Sequence, residues 1–562
     1  MEVSYPMTIL IFVIFNLILL LAFRGLVTIV KILGNKKFVV DKLSVSSIPV
    51  FVFFPVLSLF LIGNISVFAN FFLPLKKLNL FWVVVLFILL FFNLKEPFQL
   101  DNKLFLFISL FIIPSVLSIS SYGLKLHYDS IDYHINFQYW IREDKIVLGL
   151  SNLYIAYGWS TIYEYILSNF WFKDNFIFLH YVNLIFFTFF YNFVAYNILF
   201  SNNNFLKYTS TSIVMYSFLD NFGINGGGNG FLSIQMIGKP DLAVGVLYFV
   251  TLTLFLSDFL RNKFSYNNLV LITMLALFSF QIKIVSAYLI IPILIYVYKV
   301  RKNRISKIHI QTGFILVLLL ISFIIKNILI SGCVFFPIEH LCLNDLSWTD
   351  QSKVKQFSSS VVSNNNGLTF DTDLRIWFRI WMNNAYNLQV YSNMLLSFTI
   401  IYIINLLTLR KNINQNKRNE IYSIGFIIFI ALAFFITGPT VRYGFGTFLI
   451  VLSLNTLRKN TPKKKVKIQI VNKSMIFILF ISIILTPRIY SYHGFFESPL
   501  LLTEIEDSTE EYLNLGSLKD LKTIPIQNTK CFIPKTCVKN DDYKLIEYSK
   551  IGNYKRYVIK EN

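Results

Sequence analysis

A polar stretch that is rich in titratable side chains directly follows a strongly apolar segment. It spans residues 127–141, HYDSIDYHINFQYWI, and its centre contains Asp129, Asp132 and His134. At a lipid–water boundary, partial desolvation raises the pKa of a carboxyl group toward the range in which it acts as a general base. If the stretch is helical, the two carboxylates share a face and the imidazole can hydrogen-bond one of them. The alternative is that Asp129 or Ser130 only caps the next helix.

Further charged side chains lie at predicted helix ends. Lys239 and Asp241 occur in GKPDLAV after a glycine-rich run, but Pro240 and Asp241 are equally typical of an ordinary helix start. Lys283 separates two apolar runs, where an ammonium group either extends to the interface or binds a phosphate. Arg442 lies in the short turn GPTVRYGFG, where a guanidinium suits a phosphate or diphosphate, or else anchors to a lipid headgroup.

The composition is that of a membrane protein. Of the 562 residues, 55% are hydrophobic and only 14% are charged, far fewer than in a soluble protein of this length. The formal net charge is +21, yet the basic residues cluster in short loops between apolar runs. This distribution argues against nucleic acid as a partner and favours basic cytoplasmic loops. We therefore expect an all-α polytopic membrane protein.

Apolar runs recur along the whole chain, and each is long enough to cross the hydrocarbon core of a bilayer. We expect about 14 transmembrane helices, with approximate limits 7–29, 47–70, 79–95, 104–121, 176–200, 208–222, 241–260, 267–282, 284–299, 311–330, 391–409, 421–437, 441–457 and 470–487.

The distribution of Lys and Arg predicts the orientation. The loops after the first, seventh, ninth, eleventh and thirteenth spans are basic, and short basic loops remain in the cytoplasm. The larger loops 122–175, 221–240 and 331–390 are then expected outside. The chain divides into a transmembrane domain, 1–487, and a small folded extracytoplasmic C-terminal segment, 488–562.

The first large outer loop contains helical patterns of its own. Apolar and aromatic residues recur at helical spacing within 135–140 and again within 157–166. This predicts short helices that lie in the membrane interface rather than cross the bilayer. Gly149 and Asn152 mark a turn between them.

The four cysteines form two pairs, each within one polar segment. Cys333 and Cys342 share the 331–390 loop, and Cys531 and Cys537 share the C-terminal segment. They predict two disulfides if these segments face an oxidising compartment, and four free thiols otherwise. Their spacing is not that of a zinc site.

Several short motifs resemble a known group of proteins. The pattern YD-x-x-x-YH-x-x-x-x-x-WI, followed by GL-x-NLY-x-x-YGW, resembles the first outer loop of bacterial multispanning proteins that are similar to GT-C glycosyltransferases. In this chain the matching residues are Tyr128-Asp129, Tyr133-His134, Trp140-Ile141, Gly149-Leu150, Asn152-Leu153 and Gly158-Trp159. Further matches, in the same order, are Pro240-Asp241, Lys283, Ser331-Gly332 with Pro337, Arg442-Tyr443, and Cys531 and Cys537 with Pro534 between them.

The resemblance implies an inverting transferase that uses a polyprenyl-phosphate-linked sugar, with the first-loop acid, Asp129, as general base. The family often has a second acid next to the first, whereas Asp132 is three residues away. With His134, these two acids form the expected catalytic group. The expected substrate-binding residues are Tyr133, Asn152, Lys239, Asp241, Lys283, Arg442 and Tyr443. The superfamily mostly works without a catalytic metal, so we expect no metal and no cofactor.

The sequence thus favours a GT-C-like glycosyltransferase in the bacterial inner (cytoplasmic) membrane with an outward-facing active site. The expected partners are a polyprenyl-phosphate-linked sugar donor, a glycan or lipid acceptor, and membrane lipids. Two alternatives are a transporter or flippase of lipid-linked envelope glycans and a polymerase that joins them. A transporter predicts charged residues buried within its spans.

Overall fold

The chain folds into a largely helical body. The computed structural model describes residues 5–34, 44–94, 102–122, 130–171, 177–221, 240–303, 305–364, 373–383, 385–411, 417–437, 441–462, 468–487, 492 and 546–559. Structural statements below refer to these residues.

The described α-helices extend from Tyr5 to Leu485. The first are α1 (Tyr5–Leu33), α2 (Phe54–Asn70), α3 (Asn79–Leu94), α4 (Lys103–Phe107), α5 (Ile113–Ser118), α6 (Ile135–Glu143) and α7 (Ile162–Leu167). The next are α8 (Ile177–Leu199), α9 (Asn204–Asn221), α10 (Asp241–Arg261), α11 (Tyr266–Ile282), α12 (Ile290–Val300) and α13 (Lys307–Ser331). The last are α14 (Gln351–Asn364), α15 (Leu374–Asn383), α16 (Ala385–Thr408), α17 (Lys417–Thr437), α18 (Val441–Val451), α19 (Leu454–Arg458) and α20 (Ile468–Leu485).

Three small two-stranded antiparallel sheets complete the described structure. Their strands are β1 (Ser44–Val45) with β2 (Ile48–Pro49), β3 (Leu409–Lys411) with β4 (Lys459–Pro462), and β5 (Ile546–Ile551) with β6 (Tyr554–Ile559).

Within the described residues, seven helices are long and apolar enough to cross a membrane. They are Met7–Leu33, Val50–Asn70, Leu75–Leu94, Lys103–Ser121, Ile177–Leu199, Asp241–Arg261 and Lys307–Ser331. Four shorter apolar helices accompany them, at Tyr266–Ile282, Ile284–Val300, Met394–Thr408 and Lys473–Leu485. A helix hydrogen-bonds its own backbone, which is the condition for stability in lipid. These helices confirm the prediction of an all-α membrane protein.

The basic connections meet at one end of the helical body, which we call the basic end. There β3 pairs with β4, Asn419 donates to the carbonyl of Phe259 (2.9 Å), and Asn303 donates to the carbonyl of Phe264 (2.9 Å). These contacts join the loops after α10, α12, α16 and α19. The loop after α1 leads to β1–β2, which reaches the same end through Ser46, a hydrogen-bond donor to Asp258 (2.7 Å).

The opposite end, which we call the site end, holds the first large outer loop and the C-terminal hairpin. The hairpin is fixed to this loop through its last strand: Tyr557 N donates to Leu148 O (3.0 Å), and Leu148 N donates to Lys555 O (2.9 Å). An ion pair between Lys555 and Asp144 (2.9 Å) adds to the contact. Residues 546–559 of the C-terminal segment therefore form a β-hairpin packed against the loop.

The loop itself contains the expected short helices, α6 and α7. All six side chains of α7 are buried, so this helix packs inside the protein rather than along the membrane surface. Gly149 forms the expected turn, with φ of 65°. The disulfide between Cys333 and Cys342 is also present, whereas Cys531 and Cys537 lie outside the described residues.

The close approach of α18 to α10 provides a test of the packing. A Cβ added at Gly446 would lie 2.6 Å from Tyr248 Cβ and 2.9 Å from Gly245 O. Gly446→Ala is therefore expected to lower the free energy of unfolding by about 1–3 kcal/mol, because two helices must separate. The measurement is the thermal unfolding midpoint in detergent. The matched control is Gly425→Ala on α17, where a Cβ meets nothing within 4 Å. An equal effect of both changes would contradict the packing.

Candidate active site

The polar stretch of the first outer loop begins as a π-helical turn, Ser130–His134. Such turns widen a helix locally and occur often at functional sites. Asp129 precedes this turn and lies outside the described residues, and the backbone of Asp132 forms part of it. Tyr133 packs with its ring centroid 5.6 Å from that of Trp159. The turn therefore brings the predicted catalytic stretch against the GL-x-NLY-x-x-YGW segment of the same loop.

The imidazole of His134 is buried against an acid that the sequence analysis did not single out. Nδ1 of His134 donates to the carboxylate of Glu164 in α7, and Gln138 Nε2 donates to its other oxygen (2.7 Å). Trp171 Nε1 in turn donates to Gln138 Oε1 (2.7 Å), which fixes the orientation of the amide. Glu164 is only 2% exposed. Its sequence signal is weak: it is a single acid inside the apolar run IYEYIL.

Two predicted substrate-binding residues form a second charged pair. Pro240 precedes α10 and Asp241 is the first residue of that helix, as predicted from the sequence. Lys283 has extended backbone angles between α11 and the 3₁₀ turn that leads into α12. Its ammonium donates to the carboxylate of Asp241, which is 3% exposed. Lys239 lies outside the described residues.

Tyr163 precedes Glu164 in α7 and lies within electrostatic range of Asp241. Burial raises the pKa of its hydroxyl well above the usual range, and the negative charges of Glu164 and Asp241 raise it further. The phenol is therefore close enough to both carboxylates for their charges to act on it. Glu164 belongs to the first outer loop and Asp241 to α10, so the phenol of Tyr163 lies near two carboxylates that are far apart in the sequence. The described structure thus brings His134, Asp241 and Lys283 to one region.

The helix that carries Arg442 begins beside the start of α10. Asn419 contacts the end of α10 at Phe259, and Phe426 packs against Phe255 (5.7 Å), so α17 runs antiparallel to α10. α18 then returns parallel to α10, with Gly446 against Tyr248. The first turn of α18, which includes positions 442 and 443, therefore lies next to the first turn of α10. Of Arg442 and Tyr443 only this backbone placement is described.

A buried lysine in α13 supports the start of α7. Lys326 Nζ donates to both the carbonyl and the hydroxyl (2.9 Å) of Ser160, whose backbone has an uncommon positive φ of 20°. The hydroxyl of Ser160 also donates to Asn327 Oδ1 (3.2 Å). Because Thr161 precedes the first residue of α7, these contacts fix the position from which Glu164 projects. A fully buried lysine in an apolar helix is costly, which makes a functional reason for it the default expectation.

Asn152 has a different setting from the charged pairs. Its side-chain amide donates to the carbonyls of Trp348 (3.0 Å) and Tyr557 (2.9 Å). These bonds join the first outer loop, the loop after α13 and the C-terminal hairpin. The structure therefore gives Asn152 a role in holding the loops of the site end together. Among the described residues, no group of three or more His, Cys, Asp or Glu could hold a metal ion.

Most of the chain matches the model of one protein family. The model of the family described as Domain of unknown function (DUF8201) matches residues 7–449. The chain belongs to this family. No curated protein and no solved structure matches the chain. The DUF8201 match includes both charged pairs, Tyr163 and Lys326, whereas the C-terminal hairpin lies beyond it. The site is therefore contained in the part of the chain that defines the family.

Proposed function

We propose that this protein is a GT-C-like inverting glycosyltransferase that transfers a sugar from a polyprenyl-phosphate donor to an envelope glycan or lipid acceptor. The observation that carries the proposal is that two pairs of ionisable side chains, His134–Glu164 and Asp241–Lys283, lie near one buried phenol, that of Tyr163. Both carboxylates and the imidazole are buried, and the lysine is partly exposed. Burial and the two nearby carboxylates raise the pKa of the Tyr163 hydroxyl, and a perturbed group among buried partners is a typical feature of a functional site. The order of the motifs along the chain, which resembles that of GT-C enzymes, supports the same reaction class.

The proposal includes about 14 transmembrane helices, with the basic end in the cytoplasm and the site end facing outward across the bacterial inner membrane. Seven long apolar helices and four shorter ones support a high span count. Lys and Arg are retained on the cytoplasmic side in short loops. The basic loops meet at one end and the charged pairs lie at the other, so an outward site follows from this rule.

In the proposed reaction, the carboxylate of Asp129 takes the proton of an acceptor hydroxyl as the oxygen attacks the anomeric carbon. The bond from that carbon to the phosphate oxygen breaks, the configuration inverts, and polyprenyl phosphate leaves with the bonding electron pair. Lys283 and Arg442 hold the phosphate, since cations stabilise the charge that develops on a leaving group. Asp241 orients the Lys283 ammonium, and Glu164 orients the His134 ring beside the π turn.

A transporter or flippase of lipid-linked glycans is the second candidate, because three charged side chains are buried within apolar helices. They are Arg24, Asp258 and Lys326. Each has polar partners: Arg24 donates to Asn93 Oδ1 (3.0 Å), and Asp258 accepts from Ser46, Asn268 and Tyr296. Charged groups bonded in this way also connect helices, so the arrangement fits an enzyme without requiring a transport path.

Reconstituted proteoliposomes distinguish the two functions. The probe is a polyprenyl-phosphate hexose with a radiolabelled sugar, supplied with lipid and glycan extracts of the bacterial envelope as acceptors. We expect label to move from the donor to an acceptor, with release of polyprenyl phosphate. In parallel, the accessibility of a fluorescent donor to a membrane-impermeant quencher measures flipping. Accelerated flipping without sugar transfer would show that the protein is a flippase and would overturn the proposed reaction. Sugar transfer without flipping would support the glycosyltransferase.

A further inference from the structure

The helix α15, which precedes α16, has two faces of different character. Trp377 and Trp381 are buried toward the protein, and the ring of Trp381 lies 4.9 Å from that of Tyr391 in α16. The described side chains that face away include Arg375, Arg379 and, at the end of the helix, Asn383. The exposed apolar ones are Ile376, Phe378, Ile380 and Met382. The tryptophans thus attach the helix to the body and leave a broad apolar surface outside.

Arg375 and Arg379 lie one helical turn apart and are both exposed. Side chains four residues apart share a helix face, so the two positive charges repel each other unless an anion lies between them. Within the described residues, no carboxylate forms an ion pair with either guanidinium. Asp373 instead caps the helix by accepting from the backbone N–H of Arg375 (2.7 Å). The pair is therefore a compact cationic stripe bordered on both sides by apolar side chains.

The position of α15 in the fold places this stripe at the site end, next to an apolar helix. Tyr216 packs against Phe398 and Asn405 donates to Ser212, so α16 runs antiparallel to α9. The start of α9 contacts the basic end, where Asn203 donates to Ser257 (2.7 Å). The start of α16, and α15 with it, consequently lies at the site end. The apolar helix Met394–Thr408 follows within three turns.

We propose that α15 is an interfacial helix that binds the phosphate of an anionic phospholipid between Arg375 and Arg379. An arginine stripe on an amphipathic helix at the bilayer surface suits this partner, because the apolar side chains enter the acyl region while the guanidiniums hold the headgroup. The two guanidiniums select an anionic group, and the adjoining apolar surface selects a lipid, because a free phosphate would not contact that surface. This site is separate from the charged pairs and does not depend on the proposed function.

The test counts lipids retained on the full-length protein by native mass spectrometry from nanodiscs of phosphatidylglycerol and phosphatidylcholine. Each basic residue near an anionic surface contributes roughly 1 kcal/mol, so R375Q with R379Q is expected to weaken phosphatidylglycerol binding by about thirtyfold. R375K with R379K should retain most of it. The control is Lys76→Gln with Lys355→Gln, which removes two charges from exposed lysines that already pair with Glu143 and Glu339.

Several results would overturn the lipid site. Equal retention of phosphatidylcholine and phosphatidylglycerol would mean that no specific headgroup is held. So would an equal loss of phosphatidylglycerol in the Lys76→Gln, Lys355→Gln control. Displacement of phosphatidylglycerol by millimolar inorganic phosphate would indicate a simple phosphate site. Unchanged retention in the arginine double variant, or a protein partner bound to α15 in place of lipid, would also exclude it. Both arginines are exposed, so the variants are expected to fold normally.

Discussion

Asp129→Asn is expected to lower the rate of sugar transfer by a factor of about 10² to 10⁴, the usual contribution of a general base. Asparagine has nearly the same shape as aspartate but cannot accept the proton of the acceptor hydroxyl. The substitution should leave kcat low and the KM for the donor little changed, because the lipid and phosphate contacts lie elsewhere. The measurement is initial rates of label transfer in proteoliposomes containing equal amounts of protein.

Asp132→Asn provides the matched control, since it makes the same chemical change three residues further along the chain. If Asp129 is the base, Asp132→Asn should retain most of the transfer rate. Loss of activity in Asp132→Asn together with normal rates in Asp129→Asn would assign the base to Asp132. Both proteins should elute from size exclusion as the wild type does, so that loss of activity is not loss of folding.

The parts of the structure that could be predicted from sequence depend on local signals. Proline and aspartate at 240 and 241 define a helix start because of backbone and dipole preferences that act within one turn. Lys283 separates two apolar runs that are each long enough to form a helix, so a boundary between two helices is expected there. The basic loops meet at one end because hydrophobic helices alternate in direction. The disulfide between Cys333 and Cys342 closes a short loop within one polar segment, and it was expected on the condition that this segment faces an oxidising compartment.

The residues that were missed depend on tertiary packing. Glu164 pairs with His134 across 30 residues, and only the folding of α7 against the π turn brings them together. Apart from Lys307 at its first position, Lys326 is the one lysine of the 25-residue apolar helix α13, so average hydropathy conceals it. Its partner Ser160 lies 166 residues away. α7 was expected at the membrane surface because its pattern is apolar, but the same pattern also fits a helix buried on every side.

The second large effect is expected from Glu164. Glu164→Ala should lower the free energy of unfolding by about 3 kcal/mol or more, because two buried donors lose a charged acceptor that contributes about 1.5–3 kcal/mol per bond. Gln138 cannot turn its amide to compensate, since Trp171 already donates to its oxygen at 2.7 Å. Rotation would turn the amide NH2 group of Gln138 toward the indole N–H of Trp171, which is also a donor. The measurement is the unfolding midpoint of the purified protein, followed by intrinsic fluorescence.

Glu143→Gln on the neighbouring helix is the matched control for the charge change. Its ion pair with Lys76 (3.1 Å) involves a lysine side chain that is 60% exposed, and such surface pairs contribute about 1 kcal/mol or less. The unfolding midpoint of Glu143→Gln should remain close to that of the wild type. If the midpoint of Glu164→Ala is equally close, the buried contact between Glu164 and His134 is not formed.

Glu164→Gln separates the structural contribution of this residue from its effect on the reaction. The glutamine carbonyl can accept from Gln138 while its amide donates to Nδ1 of His134, provided that the imidazole proton moves to Nε2. The fold should therefore survive with the opposite tautomer of His134, and we expect kcat to fall while the unfolding midpoint remains close to that of the wild type. Wild-type kcat in this variant would mean that the pair only stabilises the loop. A lowered kcat in a stable protein would mean that the carboxylate of Glu164 matters to the reaction through the histidine that it orients.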